Sequence, residues 1–171
     1  KNFHFGVREH AMGGILNGLP LYGGYVPFGA TFLVFADYMR PSIRLANIMG
    51  IQVIYVFTHD SIFVGEDGPT HEPIEQVASL RLIPGMAVIR PADGPEVAAA
   101  WAWALRHKDG PTALILTRQG VPAIARQDEF SCDAFGKGAY AISTTPGRDP
   151  DIVLVGTGSE LRPRRISRPR G

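Results

Sequence analysis

The sequence contains very little cysteine and no long apolar run. Cys132 is the only cysteine among 171 residues, so no disulfide can form within the chain, and a reducing, cytoplasmic setting is the simpler expectation. No apolar run reaches the roughly 18 residues of a membrane-spanning helix, and the first residues lack the apolar stretch of a signal peptide. Because the sequence begins at Lys1 rather than Met, we expect a processed chain or an internal piece of a longer one.

The basic charge of the chain is concentrated at one end. Residues 161–171 hold five arginines and no acid, whereas the remaining residues have 12 basic against 16 acidic side chains. A basic tail can bind nucleic acid, and that alternative predicts a salt-dependent DNA affinity that is lost without these residues. The rest of the composition, with 45% apolar and 19% charged residues, is typical of one globular domain.

Predicted strands alternate with predicted helices along the chain. The strands are expected within 2–6, 23–30, 51–58, 86–91, 112–118 and 151–159. The helices are expected at 7–19, 31–49, 74–83 and 94–108. This order predicts an α/β fold, a mostly parallel sheet with helices on both faces.

Two features near the start of the chain allow a structural and a functional interpretation. Glu9 lies where a predicted strand meets a helix, and a negative charge there stabilises the helix by roughly 0.3–1 kcal/mol. Phe32, Phe35 and Tyr38 recur every three residues and form an aromatic stripe on a helix. Such a stripe can pack in the core or stack against a flat ring.

A polar loop follows the clearest buried strand, and ligands of parallel sheets bind at such loops. It contains six titratable residues: His59, Asp60, Glu66, Asp67, His71 and Glu72. They could bind a metal or exchange protons with a polyhydroxy substrate, and their spacing does not follow a compact zinc pattern. Arg118 closes a later strand and could bind a phosphate or form a surface ion pair.

The order of these segments resembles the transketolase family. The matching strings are GVREHAM, TFLVFADYMRPSIRLA, YVFTHDSIFVGEDGPTHEPIE, RPADGPEVAAAW and TRQ, and the resemblance covers residues 2–160. The string THDSI…GEDGPTH is highly specific to the family, whereas deoxyxylulose-5-phosphate synthase typically has EQHA in place of REHA. The resemblance implies a cytoplasmic, metal-dependent homodimer that uses thiamine diphosphate to move a two-carbon ketol unit from a ketose phosphate to an aldose phosphate. That is a reaction of carbohydrate metabolism in the pentose phosphate pathway.

The resemblance also implies roles for individual residues. Glu9 corresponds to the glutamate that bonds the aminopyrimidine ring of the cofactor. Phe32, Phe35 and Tyr38 correspond to the pocket around that ring, with Phe35 stacking on it directly.

The substrate roles implied by the resemblance fall on later residues. His59 and Arg118 correspond to residues that hold the substrate phosphate, and Asp67 to the one that reads the hydroxyl next to the ketose carbonyl. His71 corresponds to a histidine beside the reacting carbons, so Glu9 and His71 are the expected catalytic residues.

The resemblance divides the chain into three parts. Residues 1–145 correspond to the pyrimidine-binding domain, 146–160 to the start of a C-terminal domain, and 161–171 to no part of the family, as a frameshift or truncation would produce. The motif that binds the diphosphate through Mg²⁺ or another divalent cation belongs to an N-terminal domain, so no metal ligand is expected here. The expected partners are sugar phosphates, that domain and a second subunit, without nucleic acid or membrane. A catalytically silent module or a subunit of a split enzyme stays open as an alternative.

Overall fold

The computed structural model describes residues 2–147 and 149–161. The strands are β1 (Phe28–Phe32), β2 (Ile54–Thr58), β3 (Ala87–Ile89) and β4 (Thr112–Leu116). The helices are α1 (Glu9–Tyr22), α2 (Ala36–Ile48), α3 (Gln76–Arg81), α4 (Gly94–Arg106) and α5 (Cys132–Gly136). Short 3₁₀ turns form at Leu33–Phe35, Ile62–Val64 and Gly158–Glu160.

The four strands form one parallel sheet in the order β1-β2-β4-β3. The two central strands are almost fully buried, as expected for apolar strands covered on both faces. Their register pairs Thr58 at the end of β2 with Phe32 on one side and Leu116 on the other. The sheet confirms the predicted α/β class.

Helices cover both faces of the sheet because successive side chains of a strand point in opposite directions. Tyr55 and Phe57 of β2 point into the larger core, which α1, α2 and α3 complete with Leu16, Met39 and Leu80. The other face is smaller. Its core residues are Ile54, Val56, Ala100, Ala104 and Leu114, against which Trp101 and Phe135 pack.

Close backbone approach holds α1 against its neighbours. A Cβ at Gly13 would lie 2.7 Å from the Cβ of Ser42 in α2, and one at Gly29 would lie 2.5 Å from Cδ1 of Leu16. Buried Asn17 donates a 2.8 Å hydrogen bond from Nδ2 to the Ser42 carbonyl oxygen. Gly13 of α1 therefore has a packing reason.

The start of α4 is fixed by a buried ionic network. Asp93 caps the helix by accepting a 3.2 Å bond from the Glu96 amide, and the Glu96 carboxylate accepts a bond from the amide of Ala92. Arg126 joins both carboxylates at 2.8 Å and 3.1 Å. Burial alone would raise the pKa of Asp93, but the bonds from Arg126 and two backbone amides outweigh it, and that pKa is lowered.

Two predicted strands are wrong. Residues 2–6 form no strand, because Gly6 with a φ of 62° and a bond from the Arg8 amide to its carbonyl turn the chain into α1. Residues 151–159 also form no strand. The side chains from Ile152 to Val155 are 71–88% exposed, and no strand within the described residues pairs with this segment.

The predicted helix over 31–49 begins too early. Its first two residues end β1, Leu33–Phe35 form a 3₁₀ turn, and the α-helix begins at Ala36. Pro41 lies within α2 without dividing it.

In the part of the chain that the structure describes, no helix has both the length and the apolar character needed to cross a membrane.

Candidate active site

The predicted site residues gather at the carboxyl edge of the sheet. Phe32 ends β1, His59 directly follows β2, and Arg118 comes two residues after β4. The parallel register aligns the ends of these three strands, so the residues that follow them emerge side by side.

Five rings form a contiguous aromatic cluster at this edge. Phe32 and Phe35 stack with centroids 5.8 Å apart, and Tyr38 continues the row at 5.8 Å from Phe35. The His59 ring meets Phe32 edge-on at 4.5 Å, and the His71 ring meets Phe35 at 5.5 Å. The aromatic stripe and the polar loop, 20 residues or more apart in sequence, therefore share one surface.

The aromatic stripe lies outside the core. Leu33, Ala36 and Met39 of the same segment are buried, whereas Tyr38 is 64% exposed and the rings of Phe32 and Phe35 are half-buried. Aromatic faces left at a surface remain able to stack against another flat ring.

The loop after β2 folds back over the aromatic cluster. Gly65 and Gly68, with φ of 89° and 77°, supply turns that other residues rarely adopt. The His71 amide then donates a 3.0 Å bond to the Gly68 carbonyl, and its Nδ1 lies 2.8 Å from the Thr70 hydroxyl. These bonds hold the His71 ring against Phe35.

Charges around His59 shift its pKa in opposite directions. Burial lowers the pKa of His59, and the positive charge of Arg118 lowers it further, while Asp67 and Asp60 act in the opposite direction. The net pKa is lowered, so the imidazole is neutral at neutral pH. Arg118 and Asp67 therefore both act electrostatically on the ring.

Buried polar atoms without partners concentrate at the same strand ends. The atoms there without a partner among the described residues are His59 Nδ1, Asp60 Oδ1, Thr117 Oγ1, and Oε1 and Nε2 of Gln119. Buried polar atoms normally find a hydrogen-bond partner, so this group is suited to a ligand, water or another chain. Sequence reasoning missed Thr117 and Gln119, although both flank Arg118 after a buried strand.

Glu9 stands apart from these contacts. It is the first residue of α1 and half-buried, and within the described residues its side chain has no hydrogen bond or ion pair. The same helix contacts α2 next to Glu9, where the Ser42 hydroxyl lies 3.4 Å from Nδ1 of His10. The structure therefore joins all the predicted site residues except Glu9 by ring contacts or electrostatic effects.

The chain matches the family model described as "Transketolase, pyrimidine binding domain" over residues 1–123. The chain belongs to the transketolase family. It is 58% identical over 161 residues to the transketolase of Bacillus subtilis, a match that covers 94% of this chain and 24% of the relative. The chain thus spans about a quarter of the length of its curated transketolase relatives.

Solved transketolases share the fold. A Pichia stipitis transketolase in complex with sedoheptulose-7-phosphate superposes with a TM-score of 0.86 and 42% identity, covering 92% of this chain and 23% of that one. A structure described as "Split gene transketolase, inactive beta4 tetramer" gives a TM-score of 0.63 and 32% identity, covering 85% and 42%. The predicted family is confirmed.

Among the described residues, no three or more His, Cys, Asp and Glu side chains are grouped to hold a metal ion.

Proposed function

We propose that this chain supplies the aminopyrimidine-binding half of the active site of a transketolase. The whole enzyme would transfer a two-carbon ketol unit from a ketose phosphate to an aldose phosphate with thiamine diphosphate as cofactor. One observation carries the proposal: the five-ring aromatic cluster, which includes His59 and His71, lies at the carboxyl edge of the sheet, where Arg118 acts electrostatically on His59.

The residues at this edge fit a flat, polar heterocycle. Phe35 offers a half-buried face for stacking, with Phe32 and Tyr38 on either side of it. The half-buried carboxyl group of Glu9 has no partner among the described residues and can bond a ring nitrogen. Such a bond would favour the imino tautomer of the aminopyrimidine, whose exocyclic nitrogen could then act as a base. When bound, thiamine diphosphate supplies the nucleophilic carbon that takes up the ketol unit.

The polar residues around the aromatic cluster fit a sugar phosphate. Arg118 presents a planar guanidinium that can bind a phosphate through two hydrogen bonds, and neutral His59 adds one ring N–H donor. We assign Asp67 to the substrate hydroxyl next to the carbonyl and His71, which touches the stacking ring of Phe35, to proton exchange at the reacting carbons. The sugar phosphate bound to the Pichia stipitis relative supports this substrate class.

The proposal extends to the parts of the enzyme around this domain. Residues 1–145 form the pyrimidine-binding domain and 146–160 begin a C-terminal domain, while the expectation for 161–171 falls almost wholly outside the described residues. An N-terminal domain supplies the ligands of a divalent cation, and the site is completed in a cytoplasmic homodimer. Exposed apolar side chains such as Val7 (92%) and Val155 (88%) suit surfaces that another domain or subunit covers.

A second candidate function is a subunit of a split transketolase or a catalytically silent module. The likeness to a split-gene transketolase, described as an inactive tetramer, favours it. A split-enzyme subunit would need a separately encoded partner for ketol transfer. A silent module would have no ketol-transfer activity.

A chimeric enzyme tests the proposal. Residues 2–160 of this chain replace the matching segment of the Bacillus subtilis transketolase, and ketol transfer is measured with and without Glu9→Gln. We expect this substitution to reduce kcat by at least about 100-fold, because it removes the carboxyl proton chemistry while keeping the shape.

The matched control is Glu75→Gln, which changes an exposed glutamate at the start of another helix. It should leave turnover within about twofold, and far-UV circular dichroism should be the same for both variants. Near-normal turnover in Glu9→Gln would remove Glu9 from the mechanism.

A further inference from the structure

Arg90 bridges two acidic residues that lie far apart in sequence. It follows β3, and its Nε and Nη2 donate to Oδ2 of Asp60 at 3.2 Å and 2.8 Å. The same Nη2 donates to Oε1 of Glu160 at 2.6 Å. One guanidinium therefore connects the residue after His59 with the 3₁₀ turn at Gly158–Glu160.

The turn itself is seated on Arg90 by further contacts. The Gly158 amide donates a 3.1 Å bond to the Arg90 carbonyl, and the buried Ser159 hydroxyl donates to Oδ2 of Asp60 at 3.3 Å. Gly158 has a φ of 63°, and a Cβ there would lie 2.7 Å from Nε of Arg90, so only glycine allows this approach. We call Asp60, Arg90, Gly158, Ser159 and Glu160 the Arg90 latch.

The latch is buried where it meets the site. The side chain of Asp60 is 1% exposed and that of Arg90 11%, whereas Glu160 is 43% exposed. A buried carboxylate needs its cation, because water cannot replace it there. Oδ2 of Asp60 accepts from both Arg90 and Ser159, while Oδ1 has no partner among the described residues.

Asp60 connects the Arg90 latch to His59. Asp60 directly follows His59 in the chain. The negative charge of Asp60 acts on the His59 ring, which packs on Phe32 at 4.5 Å. Arg90 has no described contact with the aromatic cluster, Asp67 or Arg118. The described contacts that link Arg90 to the site are its bonds to Asp60.

We propose that Arg90 is a positioning residue, which holds His59 in place by locking Asp60 onto the Gly158–Glu160 turn. Recognition of the donor phosphate then depends on how the segment after residue 150 is seated. The proposal rests on the proposed function, because it takes His59 as a phosphate-binding residue.

The test compares two donors in the chimeric enzyme: a phosphorylated ketose and a ketose without phosphate. Arg90→Lys keeps the charge but cannot bond Asp60 and Glu160 with one planar group. We expect a rise of about tenfold or more in KM for the phosphorylated donor, with kcat and the other donor's KM within about threefold. Glu160→Gln, which leaves the buried pair with Asp60 in place, should give a smaller rise of the same kind.

Arg126→Lys is the matched control, because Arg126 also bridges two buried carboxylates, those of Asp93 and Glu96. It should lower Tm without changing the KM of one donor more than that of the other. In a double-mutant cycle, Arg90→Lys should add almost nothing to the KM of His59→Ala, since both act through one ring.

Three results would overturn the proposal in different ways. Equal losses for both donors would make Arg90 a general stabilising residue, and additive effects of Arg90→Lys and His59→Ala would separate the latch from His59. A normal KM for the phosphorylated donor in His59→Ala would remove the assigned role of His59, and the inference with it. Absence of ketol transfer in the unsubstituted chimera would instead contradict the proposed function.

Discussion

Opposing charges around one histidine set the chemistry at the phosphate end of the proposed site. Burial and Arg118 lower the pKa of His59, while Asp67 and Asp60 raise it. Since the net pKa is below 6.5, the folded chain binds fewer protons than the unfolded chain between the lowered pKa and that value. The free energy of unfolding should therefore decrease as pH falls from about 6.5 through the pKa of the folded state.

Neutralising Arg118 should move the pKa of His59 in one direction, and neutralising Asp67 should move it in the other. Arg118→Met removes a positive charge and should raise the pKa, whereas Asp67→Asn removes a negative charge and should lower it. NMR titration of the imidazole protons measures both, and the signal missing from His59→Gln identifies the residue. Shifts of the same sign in the two variants would contradict the arrangement.

Candidate site residues could be predicted from the sequence where they follow a recognisable strand pattern, but not where their contacts depend on residues far away in the chain. His59 and Arg118 follow buried apolar strands, so their location at a sheet edge could be predicted. The position of Arg90 in the structure could not be predicted, because it bonds Asp60 and Glu160, which lie 30 and 70 residues away in the sequence. No local motif records such a pairing.

At the scale of elements, the apolar pattern identified strands well only where the sheet supplies neighbours. Central β2 and β4 were predicted from buried runs, and both are nearly fully buried. Residues 151–159 also contain an apolar run, from Ile152 to Val155, but form no strand, and these side chains stay exposed in the described part of the chain. Strand formation depends on a partner, which composition does not show.

The glycines of α1 offer a test of its packing against α2. A Cβ at Gly14 would meet only open space, whereas a Cβ at Gly13 would lie 2.7 Å from that of Ser42. Gly14→Ala should raise the free energy of unfolding by about 0.5–1 kcal/mol through helix propensity. Gly13→Ala should lower it by roughly 1–3 kcal/mol through overpacking.

Urea denaturation of the two variants measures this difference directly, and each serves as the control for the other. Equal stabilisation by both alanines would mean that α1 does not approach α2 as closely as described.

At the scale of the whole molecule, residues 2–147 and 149–161 contain one layered α/β unit, and the candidate site lies at the carboxyl edge of its sheet. The sheet, the aromatic cluster and the polar loop assemble within residues 28–118. Large apolar side chains stay exposed elsewhere, among them Tyr22 (85%) and Leu154 (85%). Because the chain spans 24% of its Bacillus subtilis relative, the activity must be tested in a full-length frame.

The most direct test of the central claim is ketol transfer by the unsubstituted chimera, measured beside its Bacillus subtilis parent. If residues 2–160 supply a working pyrimidine-binding half-site, kcat should lie within about tenfold of the parent and should require added thiamine diphosphate. A chimera that folds and assembles like the parent but transfers no ketol unit from any ketose phosphate would contradict the claim and favour a catalytically silent module.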